Sequence, residues 1–155
     1  MRTIRQTVTI PAPPLAVYRA LMDSRTHARF TGSPARISPR VGGRFTTYDG
    51  YAEGHHLELI PGRRIVQTWR ASDWPAGQYS TVTFMLTRLG KGTRLTFVQT
   101  DVPHDDAVAI GQGWREFYWT PLRRMFATAA RPSSPRRASA ASAAQSRGTR
   151  RRRPR

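Results

Sequence analysis

The sequence predicts an α+β domain in which a curved antiparallel sheet of about seven strands wraps around one long C-terminal helix. Three observations predict it. An alternating, β-branched stretch opens the chain, period-two segments separated by turn residues fill residues 35–101, and the last apolar stretch changes to helical spacing.

"RTIRQTVTI", Arg2 to Ile10, alternates Ile4, Gln6 and Val8 against Thr7 and Thr9 and reads as the first strand. Pro11, Pro13 and Pro14 end it, and proline is tolerated in the first turn of a helix because its missing N–H has no partner there. Leu15, Tyr18, Leu21 and Met22 then follow at helical spacing, which predicts a short helix from Pro13 to Met22. A second, Ser24 to Phe30, is capped by Asp23 or Ser24.

Strands are predicted at Ala35–Ser38, Arg44–Asp49, Tyr51–Ile60, Arg64–Arg70, Ser80–Leu89 and Thr93–Asp101. Asp49-Gly50, Pro61-Gly62 and Gly90-Lys91-Gly92 supply the turn chemistry between them. Asp105 or Asp106 is expected to cap the long helix, whose inward face is read as Ala107, Ile110, Trp114, Phe117, Tyr118, Leu122 and Met125. Pro121 lies inside that helix and should bend it or loosen one turn.

A chain of 155 residues makes one domain. Residues 1–130 are read as that domain, and 131–155, rich in Arg, Ser, Ala and Pro, as a disordered basic tail. The net charge of +17 divides into +8 for the first segment and +9 for the second. Lys91 is the single lysine among 26 basic residues, and arginine favours planar, bidentate contacts to anions. The tail could bind nucleic acid or an acidic surface without reading sequence, and it lacks aromatics for stacking on bases.

Cysteine is absent, which excludes disulfides, thiolate metal sites and a cysteine nucleophile. There is no signal-peptide pattern and no transmembrane run, so a cytoplasmic location is expected. No nucleophile elbow, phosphate loop, zinc helix or dinucleotide fingerprint appears, so no catalytic residue, metal or cofactor is assigned.

The stretches "IPAPPLAVYRAL", "GGRF", "ELIPGRRIVQTWR", "WPAGQYSTVTF" and "GWREFYWTPL" occur in one order between residues 4 and 127. In that order they resemble the homologues of the activator of the ninety-kilodalton heat-shock protein ATPase. This family lies within the START-like, Bet v allergen-like SRPBCC superfamily. The resemblance implies a helix-grip fold and, from the wider superfamily, a cavity between sheet and helix that takes an apolar or amphipathic small molecule. It also implies, as an alternative, a stress-related co-chaperone acting on the chaperone. That co-chaperone has a separate N-terminal domain to which nothing in this sequence corresponds. A cyclase-like enzyme is the third alternative.

The aromatic residues carry the ligand-binding expectation. Phe30, Phe45, Tyr51, Trp69, Phe84, Trp114 and Tyr118 are the candidate pocket wall, with dense packing and no room for a ligand as the competing reading. Gln67, Tyr118 and His55 are the candidate polar contacts. His55 and His56 are adjacent in a strand, so they point to opposite faces and one of them faces inward. Gly111 is read as lying over the same cavity, and Trp74-Pro75 as lying at its rim, closing the core or gating a ligand. For the co-chaperone alternative, Arg63, Arg64, Arg70, Arg123 and Arg124 are the candidate contacts to an acidic partner. Glu53 and Glu58, five apart in an unbroken strand, are expected on opposite faces, as solvated charges rather than a hydrolytic pair.

Overall fold

A computed structural model describes residues 1–130, and the tail expected at 131–155, with its anionic partners, lies outside the described residues. The element order is β1 (Arg2–Ile10), α1 (Pro14–Met22), α2 (Ser24–Thr31), β2 (Arg36–Ile37), β3 (Arg44–Thr47), β4 (Ala52–Ile60), β5 (Arg64–Ala71), β6 (Ser80–Leu89), β7 (Gly92–Val102), α3 (Ala107–Trp114) and α4 (Thr120–Ala130). The strands form one antiparallel sheet in the order β1-β7-β6-β5-β4-β3-β2. This is the predicted α+β helix-grip architecture. None of the described helices is long and apolar enough to cross a membrane.

Proline and aspartate set the first corner. Pro14 opens α1, and Asp23 both ends α1, its N–H donating to Arg19 O, and caps α2 by accepting from Thr26 N at 2.9 Å. Gly32, at φ 74°, takes the left-handed position that closes α2. These turns press Val17, Ala20 and Leu21 of α1 and His27 and Phe30 of α2 into the core.

β4 departs from a simple strand in two ways. A register shift between His56 and Glu58 makes Leu57 an extra residue, and inward positions change from Ala52, Gly54 and His56 to Leu59. Glu53 and Glu58 therefore share the outer face, which corrects the expectation of opposite faces. Each meets arginine there: Glu53 bonds Arg44 at 2.8 Å and Arg70 at 3.4 Å, and Glu58 pairs with Arg64 at 3.1 Å. Gly54 marks the second departure, for the backbone of β5 passes so close that a Cβ there would lie 1.8 Å from Thr68 O.

The long helix is interrupted. α3 runs into one π turn over Arg115–Trp119 before α4 begins, with Thr120 N–H reaching back to Arg115 O. Pro121 can give no N–H to Phe117 O, and that carbonyl instead accepts a 2.6 Å bond from the Tyr48 hydroxyl. Tyr48 stands in the β3–β4 turn at φ 51°, followed by Asp49 at 56° and Gly50 at 91°. The loosened turn expected at Pro121 is thus spliced to the sheet. The wider turn also changes which residues face inward: Tyr118 and Trp119 are both buried, whereas Phe117, read from 3.6-residue spacing as core, is 39% exposed.

The entry to α3 corrects a second expectation. Neither Asp105 nor Asp106 caps it with a side chain, because His104–Asp106 forms a 3-10 turn with Asp106 N bonded to Pro103 O, and Asp106 already has helical backbone angles. His104 Nδ1 lies 3.3 Å from Asp105 Oδ1.

Candidate functional site

The space between sheet and helix is nearly filled. Two tryptophans of the helical segment enter it, and each indole N–H finds a glutamine on the sheet. Trp114 Nε1 donates to Gln99 Oε1 at 2.8 Å, and Trp119 Nε1 donates to Gln6 Oε1 at 2.6 Å. Gln99 donates in turn to Ser80 Oγ, which donates to Trp69 O, and Gln6 donates to Gly111 O. These buried chains fix the indoles in place. Around them Trp69, Phe84, Phe97 and Tyr118 pack edge-on or tilted, with Phe97 at 4.4 Å and Tyr118 at 4.5 Å from Trp114, centroid to centroid.

What remains is a cavity of about 20 Å³. That exceeds the ~10–15 Å³ needed for one water and is far below the ~300 Å³ of an ordinary ligand pocket. Of the candidate wall residues, Phe45, Gln67, Trp69, Phe84, Trp114 and Tyr118 line it. Three do not. Phe30 is one layer out, against His27 and Tyr118. Tyr51 is exposed in the β3–β4 turn with its ring edge-on to Trp69. His55 is exposed on the outer face, and its neighbour His56 takes the inward position. The alternation Ala52, Gly54, His56 carries the signal that selects His56.

Leu21, His27, Ile37, Thr47 and Ile65 also line the cavity and were missed. His27 was legible from its helical spacing to Phe30 on α2, whereas nothing local marks Thr47. Gly111 faces β1, where a Cβ would meet Gln6 Nε2 at 3.5 Å and Ile4 at 3.8 Å, so a large side chain there would displace β1 rather than fill the cavity. Trp74 is buried and packs T-shaped on Trp69 at 5.5 Å, and Arg70 donates to the carbonyls of Trp74 and Pro75. It closes the end of the core.

The cavity has a polar side. His27 Nε2 lies 3.1 Å from Tyr118 Oη. Burial pushes the Tyr118 phenol up and holds His27 down at about 4, so a protonated phenol faces a neutral imidazole. His56 stacks on Phe45 at 5.6 Å, and burial lowers its pKa as well, opposed in part by the Ser38 backbone. Thr47 Oγ1 and both ring nitrogens of His56 are buried without a hydrogen bond of normal geometry. The lining contains no carboxylate and no lysine or arginine, and among the described residues no group of three or more metal-binding side chains is placed to hold an ion.

One consequence is measurable. The folded state keeps His27 neutral, so between pH 6.5 and about 4 the unfolded chain binds the proton first. The contribution of His27 is whole above pH 6.5 and falls away towards pH 4, by about 3 kcal/mol, with His56 adding in the same direction. Denaturant titrations across this window should show that slope, and His27→Phe should flatten it; an unaltered slope in the variant would assign it elsewhere.

The arginines divide. Arg64 pairs with Glu58 and stays 40% exposed, whereas Arg70 pairs with Glu53 and is only 13% exposed, so Arg70 is the less accessible of the two. Arg63 on the β4–β5 turn and Arg123 and Arg124 on α4 are exposed.

Comparison with known proteins adds a family. The model of the family described as Activator of Hsp90 ATPase homolog 1-like protein matches residues 11–127. The human Activator of 90 kDa heat shock protein ATPase homolog 1 is 28% identical over 123 residues, 79% of this chain and 36% of the human protein. The Dictyostelium discoideum homologue is 29% identical over 126 residues, 81% of this chain and 33% of its own length. The chain thus spans about a third of the length of these relatives. The crystal structure of an HSP90 activator from Plasmodium falciparum superposes with a TM-score of 0.78 at 24% identity, covering 82% of this chain and 97% of that one, a likeness of fold.

Proposed function

Because the chain belongs to the family of Activator of Hsp90 ATPase homolog 1-like proteins, we propose that it works through its surface, as a module that engages an Hsp90-type chaperone and stimulates its ATPase. The observation that supports this reading is the nearly filled grip: a cavity of about 20 Å³ is far smaller than an ordinary ligand pocket. A domain whose core is closed by satisfied tryptophans presents a rigid outer face, which suits docking on a larger partner. The test adds the purified chain to an Hsp90-type chaperone and follows ATP turnover and co-sedimentation. Stimulation that saturates with added chain is the expected result. No binding at stoichiometric excess would discard the reading.

A second reading is favoured by one observation, the buried polar atoms of Thr47 and His56 beside the cavity, which make no hydrogen bond of normal geometry. Buried polar groups left without partners are costly, and a small amphipathic molecule entering beside Ile37 would relieve them. Native mass spectrometry followed by extraction decides it. A reproducible adduct that raises the thermal midpoint on addition supports this second reading, and a bare mass leaves the surface reading in place.

A further inference from the structure

The outer face of the sheet is electrostatically split. On β3, β4 and β5 every carboxylate of the strands meets an arginine: Glu53 takes Arg44 and Arg70, and Glu58 takes Arg64. β1 and β6 contain no acid, and β7 contains none before Asp101, which lies beyond the last paired residue with β6. That half carries Arg5 and Arg94, both exposed and neither in an ion pair among the described residues.

The strand register arranges this half as three rows. Thr9, Arg94 and Thr87 form one, Thr7, Thr96 and Met85 the next, and Arg5, Val98 and Thr83 the third. All nine residues are exposed or half-buried, so no described element covers them. Arg5 and Arg94 are two rows apart, about 13 Å along the strands, with threonine, valine and methionine between.

We propose that these three acid-free rows on the outer face of the sheet are a docking surface for the carboxylate-rich face of a protein partner. The proposal rests on the chaperone-type reading above and names the surface it uses. Threonines with Met85 and Val98 among them, framed by two cations that have no ion pair among the described residues, are complementary to a carboxylate-rich face, and the net charge of +17 opposes a second copy of this chain in that place. Nucleic acid is a poorer fit, because the rows contain no aromatic side chain on which a base could stack. Arg64 and Arg70, each paired with a glutamate, lie outside these rows.

The test compares the full chain with Arg5→Glu/Arg94→Glu and, as a control of equal charge change at the opposite edge of the sheet, Arg36→Glu/Arg40→Glu. Affinity for an Hsp90-type chaperone should fall at least tenfold in the double variant at an unchanged thermal midpoint, and should hold in the control. Equal loss in both, or none in either, overturns the proposal while leaving the chaperone reading intact. If the wild-type chain does not bind the chaperone, that reading falls and the surface is decided separately, by titrating ¹⁵N-labelled chain with polyglutamate. Shifts confined to β1, β6 and β7 support the surface. Shifts elsewhere, no shifts, or tighter competition by duplex DNA at the same salt overturn it.

Discussion

Gly54→Ala is expected to leave the chain unable to hold its native sheet. The added Cβ would lie 1.8 Å from the carbonyl oxygen of Thr68 and 2.8 Å from the Phe45 ring. A flexible side chain could step aside, but a backbone carbonyl in β5 cannot move without breaking its register with β4 and β6. The cost should exceed the ~1–3 kcal/mol of ordinary overpacking and approach the whole stability of a small domain. Equilibrium denaturation, or the soluble fraction on expression, is the measurement. A midpoint within a few degrees of wild type would mean that β5 can shift away from β4 at this point.

Trp114→Ala should be the most damaging single truncation of the core. It removes the indole around which Trp69, Phe84, Phe97, Tyr118 and Trp119 are grouped, at about 3–5 kcal/mol. It also strips Gln99 Oε1 of its donor. Trp114→Phe separates the two effects, because it keeps most of the volume and loses the N–H, a change of about 1–3 kcal/mol. The alanine variant would further enlarge the 20 Å³ cavity, so added indole should raise its thermal midpoint and leave wild type unmoved. Absence of rescue would mean that the core collapses on truncation instead of keeping the space open.

Much of the fold could be read from the residues, and the reasons are local. β1 and β6 fall at their predicted bounds because alternation and turn residues act over a few positions. Asp23, one of the two residues expected to cap α2, does so because its partner, Thr26, is three residues away. Where the reading went astray, the deciding contact came from a distant part of the chain. The bulge at Leu57 depends on how β4 pairs with β5, so the phase of Glu58 could not be counted from Glu53. The π turn depends on Pro121 but is completed by a hydroxyl 69 residues earlier, and counting by 3.6 therefore put Phe117 inside. The candidate pocket shows the same division. Aromatic residues on the sheet and helix were found by type, whereas the polar side, with His27 and Thr47, is assembled from α2 and β3 by the closure of the whole domain.

The four tryptophans, at 69, 74, 114 and 119, are each no more than 5% exposed and stand within about 6 Å of a neighbouring indole, Trp114 and Trp119 being stacked at 5.6 Å. Their excited states are shielded from water and from aqueous quenchers, and close enough to exchange energy with one another. Loosening the grip around Trp69, Trp114 and Trp119 admits solvent to indoles that pack on one another. The intrinsic fluorescence of the protein is therefore a single optical gauge of whether sheet and helix are closed.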